Sequence, residues 1–182
     1  MKTSVGRLIL LLCCVAVVGA ACGTSSNQPS KPVAARAPLP AGRTPSAISK
    51  MVCSKEAEKE LAATLGVSAV IARPTWIDHV YSCQYIYPNG TFTLSVKELS
   101  DWSETYSYFD RLREVQGKTT SVNALGQGAY ATRNGSIVVR KDWKVLLVDV
   151  SGLPPQFGKP ATSSADVAYT IADVIMGCWS GD

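Results

Sequence analysis

From Ser54 onward the apolar residues recur in two rhythms, and each rhythm marks an element. Ala57, Leu61 and Leu65 share one face of a predicted helix over Ser54 to Leu65, with Ser54 placed to cap it and Gly66 to stop it. Two strand-like runs follow, Ile77 to Tyr87 and Thr91 to Leu99. In the second, Phe92, Leu94 and Val96 alternate with Thr91, Thr93, Ser95 and Lys97, the period of a sheet with one buried face. Pro88-Asn89-Gly90 between the runs is a hairpin signal. The helical rhythm then returns: Ser100 or Asp101 caps a helix whose apolar stripe, Trp102, Tyr106, Phe109, Leu112 and Val115, is most simply core, and Gly117 ends it. Strands are expected near Gly128 to Thr132, Ser136 to Lys141 and Lys144 to Val150. A loop over Gly152 to Pro160 leads to a last helix from Ser164 to Cys178 with Val167, Ala168, Ile171, Val174, Ile175 and Cys178 on its apolar face. Hairpin links dominate and no βαβ series is visible, so the predicted class is α+β, an antiparallel sheet of about five strands flanked by three helices.

The first fifty residues follow neither rhythm. Lys2 and Arg7 precede the apolar stretch Leu8 to Val18, which ends in the small residues Gly19, Ala20 and Ala21, the layout of a secretory signal over residues 1–21. A membrane-spanning helix needs about 20 apolar residues, and this run is much shorter. Val18-Gly19-Ala20-Ala21-Cys22 resembles the lipobox of bacterial lipoproteins. That resemblance implies a diacylglyceryl group on Cys22, cleavage before it, and a chain tethered to the extracytoplasmic face of the cell membrane. Gly19 and Ala21 also suit an ordinary signal peptidase, which would leave Cys22 unmodified. Residues 22–49 hold Pro29, Pro32, Pro38, Pro40 and Pro45 among Ser, Thr, Ala and Gly, a composition expected of a disordered stalk, and residues 50–182 are expected to form a single domain.

Charge changes the picture once it is divided by segment. The chain carries a formal +4, but of its 18 basic residues five lie upstream of Lys50, which leaves 13 against 14 acidic ones in the domain. A basic chain with a near-neutral domain is a poor nucleic-acid binder, and nucleic acid is not an expected partner. The expected partners are the membrane, through the lipid anchor, and an envelope ligand or protein.

Cys13 and Cys14 leave with the leader. Three cysteines then remain in the domain, in a compartment that favours oxidation. Cys53 with Cys83 is the preferred pair, with Cys178 a small hydrophobe on the last helix; Cys53 with Cys178 and Cys83 with Cys178 stay open. His79 is the only histidine, which leaves Cys178 without an evident base for nucleophilic chemistry. No Cys-x-x-Cys, His-x-x-x-His or tight carboxylate cluster marks a metal site, and no cofactor is expected. Gly126-Gln127-Gly128 precedes a strand and reads as a turn. Gly158-Lys159 lacks the spacing of a phosphate loop, and Asn89-Gly90-Thr91 has sequon form but a turn to make. The feature with most functional promise is aromatic: Trp76, Tyr85, Trp102 and Tyr106 could line a groove between helix and sheet for a lipid, glycan or peptide.

From Cys53 to Met176 the layout resembles the small cell-envelope lipoproteins common in actinobacteria. The matching features are an early Cys before a helix, a second Cys in the first strand, the turn Leu125-Gly126-Gln127-Gly128-Ala129-Tyr130, and a closing helix after a valine-rich strand. The resemblance implies a Mog1/PsbP-like fold and brings no catalytic residues. The expected function is a lipid-anchored extracytoplasmic binding or scaffold protein without catalysis. The alternatives are a cell-envelope hydrolase using carboxylates such as Asp142 and Asp149, or an accessory sensor acting through a partner.

Overall fold

The computed structural model describes residues 38–117 and 119–179; the predicted leader and Cys22 lie outside the described residues. Helices form where a capping side chain meets apolar spacing. At α1 (Ala47–Met51) the Ser46 hydroxyl accepts from the Ser49 amide at 3.2 Å. At α2 (Lys55–Leu65) the Ser54 hydroxyl accepts from the Ala57 amide at 3.1 Å. Gly66 ends α2 at φ 66°, a left-handed cap, and a Cβ there would stand 2.2 Å from the Lys159 carbonyl oxygen. At α3 (Trp102–Val115) the Asp101 carboxylate accepts from the Glu104 amide at 2.8 Å while the Glu104 carboxylate accepts from the Ser100 amide at 2.8 Å, a reciprocal arrangement close to a capping box. At α4 (Ser164–Cys178) the Ser163 hydroxyl accepts from the Asp166 amide at 3.1 Å.

The strands are β1 (Val70–Ile71), β2 (Thr75–Ile77), β3 (Val80–Tyr87), β4 (Gly90–Glu98), β5 (Thr120–Val122), β6 (Gly128–Ala131), β7 (Ile137–Lys141) and β8 (Lys144–Asp149). They make one sheet in the order β1-β3-β4-β8-β7-β6-β5, with β2 also on β3, and every pairing is antiparallel. β9 (Gln156–Phe157) and β10 (Thr162–Ser163) form a separate hairpin ahead of α4. Tyr87 pairs with Gly90, so Pro88 and Asn89 alone make the β3–β4 turn. Gly90 is required by close approach: a Cβ there would meet the Gly152 carbonyl oxygen at 2.8 Å.

Strand side chains alternate between faces, and the two faces are covered unequally. Cys83, Tyr85 and Tyr87 of β3, Phe92, Leu94 and Val96 of β4, Ile137 and Val139 of β7, and Leu146 and Val148 of β8 meet Val52, α2 and α4 in the larger core. On the other face Tyr130, Val138 and Val145 meet Phe109 of α3, together with Leu99, in a smaller one. Among the described residues no helix packs on that second face over β1 to β3, where Thr75, Gln84 and Ile86 are exposed.

The α+β class and the antiparallel sheet agree with the sequence, but the counts do not. Among the described residues there are four helices rather than three and eight strands in the main sheet rather than about five. The run Ile77 to Tyr87 is interrupted by a two-residue turn, Asp78-His79, with φ of 50° and 59°. The α3 stripe is not all core: Trp102 is 39 %, Tyr106 49 % and Val115 77 % exposed. Part of the stretch expected as stalk through residue 49 is tied to the domain. The Ala41 amide bonds to the Leu99 carbonyl at 3.1 Å and the Ser46 amide to the Glu98 carboxylate at 2.7 Å, so the chain joins the domain upstream of Lys50.

Candidate functional site

Cys53, between α1 and α2, is bonded to Cys83 in β3, with Cα atoms 6.0 Å apart. The preferred pairing holds, and closing a loop across a sequence separation of 30 stabilises the fold by about 3 to 4 kcal/mol on the chain-entropy model. Tyr85 lies beside the bridge, donates to the Val52 carbonyl at 2.8 Å and stacks on Phe92 at 4.6 Å. Burial raises its phenol pKa, and burial pushes that of Tyr87 up to about 12. Cys178, expected as a small hydrophobe on the apolar face of the last helix, is half-buried at the end of α4.

The structure does not assemble the predicted groove. Tyr85 is 1 % exposed inside the larger core, on the face opposite α3. Trp76 pairs with Tyr81 at the sheet margin, donates to the Arg43 carbonyl at 3.0 Å and meets His79 edge-on at 5.7 Å. Only Trp102 and Tyr106 come together, one turn apart on α3 with centroids 6.1 Å apart. A groove between helix and sheet cannot include side chains from both sides of the sheet. Asp142 and Asp149 are also kept apart, one in the β7–β8 turn and the other at the far end of β8, roughly 20 Å along an extended strand.

What Trp102 and Tyr106 do share is Arg140. The β7 alternation sends Ile137 and Val139 to the larger core and Val138 and Arg140 toward α3. The guanidinium carbon lies 4.1 Å from the Tyr106 ring centroid, 5.8 Å from that of Trp102 and 5.7 Å from that of Phe109. Nη2 donates to the Gln127 carbonyl at 2.6 Å. Gln127 is held in turn, because its amide bonds to the Arg140 carbonyl at 2.8 Å and its side chain accepts from the Asp142 amide at 3.1 Å. Gly128, paired with Arg140, leaves the room: a Cβ there would come 3.2 Å from Nη2.

Arg113 of α3 adds a second cation, its guanidinium carbon 4.8 Å from the Tyr130 ring and 5.4 Å from that of Phe109. Burial raises the Tyr130 phenol pKa, opposed by Arg113. Neither arginine has a carboxylate partner; the one ion pair found among the described residues joins Lys55 to Glu58. An Arg in the helix-facing phase of an otherwise valine-rich strand, Ile137-Val138-Val139-Arg140, was the sequence signal for this site, and the aromatic count alone pointed elsewhere.

Other concavities are less specific. A trough of about 710 Å³ runs along α1 and α2 past Ala47, Met51, Ala57 and Cys178, and one of about 640 Å³ lies between the end of α2 and the β3–β4 turn at Tyr87 and Phe157. Among the described residues no group of three or more His, Cys, Asp or Glu is arranged to hold a metal ion, and no helix is long and apolar enough to cross a membrane. Comparison with known proteins found no matching family model, no matching curated protein and no matching solved structure.

Proposed function

We propose that the chain is a lipid-anchored lipoprotein of the extracytoplasmic face, whose α+β domain binds an envelope ligand or protein rather than turning over a substrate. The observation that carries this is the pairing, in one chain, of a leader ending at Val18-Gly19-Ala20-Ala21-Cys22 with a domain stapled by Cys53 and Cys83. A structural disulfide persists in an oxidising compartment and is rare in the cytosol, and the leader supplies the route out. The kinship with small cell-envelope lipoproteins and the Mog1/PsbP-like fold belongs to the same proposal, supported by an antiparallel sheet with helices on its faces.

The test is expression of the full chain in a bacterium that processes lipoproteins, followed by detergent phase partition and intact mass. The expected product begins at Cys22, carries a diacylglyceryl group and enters the detergent phase, and Cys22→Ser moves it to the aqueous phase. An unmodified chain in the soluble fraction would end the anchored reading. Turnover against a hydrolase panel, lost on changing one residue, would end the non-catalytic one.

A further inference from the structure

We propose that Arg140 anchors an oxyanion site on the α3 side of the sheet, taking a phosphate group whose ligand leans on Trp102 and Tyr106. A guanidinium is permanently charged and offers five N–H donors. Arg140 is only 7 % exposed, yet the protein satisfies it with one backbone carbonyl. Its Nε is buried with no acceptor, and so is the Nε of Arg113, whose guanidinium also lies against the Phe109 ring. The aromatic rings attract the cation through their faces but accept little from the N–H edge, so the fork remains without the partner its burial calls for. A guanidinium fork with no carboxylate partner is matched by the several oxygens of a phosphate group. The fork geometry suits two parallel bonds to its oxygens.

Trp102 and Tyr106 occupy the first turns of α3, and Tyr106, about half exposed, lies over the guanidinium, so an oxyanion reaches the fork once that ring turns aside. Gly128 keeps the opposite side clear of bulk. This inference deepens the binding proposal and is independent of the anchor, so its failure would leave the lipidation result untouched.

The experiment uses the mature full chain labelled with ¹⁵N, with the Nε–H resonance of Arg140 assigned through Arg140→Lys and the emission of Trp102 assigned through Trp102→Phe. Inorganic phosphate is titrated against chloride of equal ionic strength, and phosphatidylglycerol vesicles against phosphatidylcholine vesicles. A saturable shift of the Arg140 Nε–H is expected, with affinity at least tenfold weaker in Arg140→Lys and severalfold weaker in Tyr106→Ala. A response to inorganic phosphate assigns the site to a soluble phosphate ligand; a response to phosphatidylglycerol vesicles alone assigns it to a lipid headgroup. No response beyond chloride and phosphatidylcholine overturns the site. Should Arg140→Lys fail to fold, the wild-type Nε–H response and the Tyr106→Ala affinity decide alone, and a response unchanged by Tyr106→Ala overturns the proposed entry and walls.

Discussion

The two faces of the central sheet are built to different rules. The face under α2 and α4 is closed from β3 to β8 by buried aliphatic and aromatic side chains, and the Tyr85 hydroxyl within it donates to the Val52 carbonyl. The face under α3 is covered at one end only, and its cover rests on a buried arginine, two half-exposed rings and a second guanidinium. The first arrangement spends sequence on stability. The second keeps an unsatisfied donor set beside exposed aromatic surface, and the difference separates the part of the molecule that holds the fold from the part with chemistry left over.

The sharpest way to break this contrast is to remove the same bulk from each cover. Ile171→Ala, fully buried in α4, is expected to lower stability by about 3 to 4 kcal/mol, against about 1 kcal/mol for Leu112→Ala on the half-buried side of α3, read from urea unfolding. Equal losses would mean that both faces carry the fold. Alkali probes the closed face next. The Tyr87 phenol is held neutral by burial, with its pKa raised from 10 to about 12. A raised folded pKa gives stability that is complete below the unfolded value and lost as pH climbs toward the folded one. Unfolding free energy should therefore fall by about 1.4 kcal/mol per pH unit between 10 and 12 on account of Tyr87, and a Tyr87→Phe protein should lose that part of the slope.

Gly66→Ala tests the docking of α2 beneath the larger core. It combines a left-handed backbone with a 2.2 Å approach to the Lys159 oxygen, and a loss of about 2 kcal/mol is expected by thermal or urea unfolding. The smallest effect has the opposite sign. His79 adopts φ 59° in the β2–β3 turn, where its carbonyl accepts from the Glu98 amide at 2.8 Å. His79→Gly should raise stability by about 0.5 to 1 kcal/mol; a loss instead would show that the His79 ring, edge-on to Trp76, outweighs its backbone strain.

Much of the closed face was legible because each local signal agreed with its burial. The alternation of Phe92, Leu94 and Val96 named the inward side of β4, and the spacing of Val167, Ile171 and Ile175 named that of α4. The α3 stripe misled because helical spacing says which side chains share a face, not how far the sheet beneath extends. Phe109 is buried against that sheet, while Trp102 and Val115 at the two ends of the helix are exposed. β1, β2, β5, β9 and β10 run for two or three residues each, too short to show a period. The start of the domain was hidden differently. Residues 41 to 46 join it through bonds to Glu98 and Leu99, partners some fifty residues away, and prolines nearby suggested an unstructured segment. Of the candidate site, the rings were visible and their arginine was not singled out, since one basic residue at the end of a valine run is ordinarily where a strand meets solvent.

The position of the Cys53–Cys83 bridge has a mechanical consequence. A pull on the chain from its N-terminal side first meets single hydrogen bonds at Ala41, Arg43 and Ser46, which can peel one at a time. It then reaches Cys53, before the first turn of α2. From there the load passes through a covalent bond into β3, a strand hydrogen-bonded along its whole length to β4. Tension is therefore delivered in shear to the β3–β4 pair and bypasses α2, so the domain would hold its shape under a drag that unravels its first few residues.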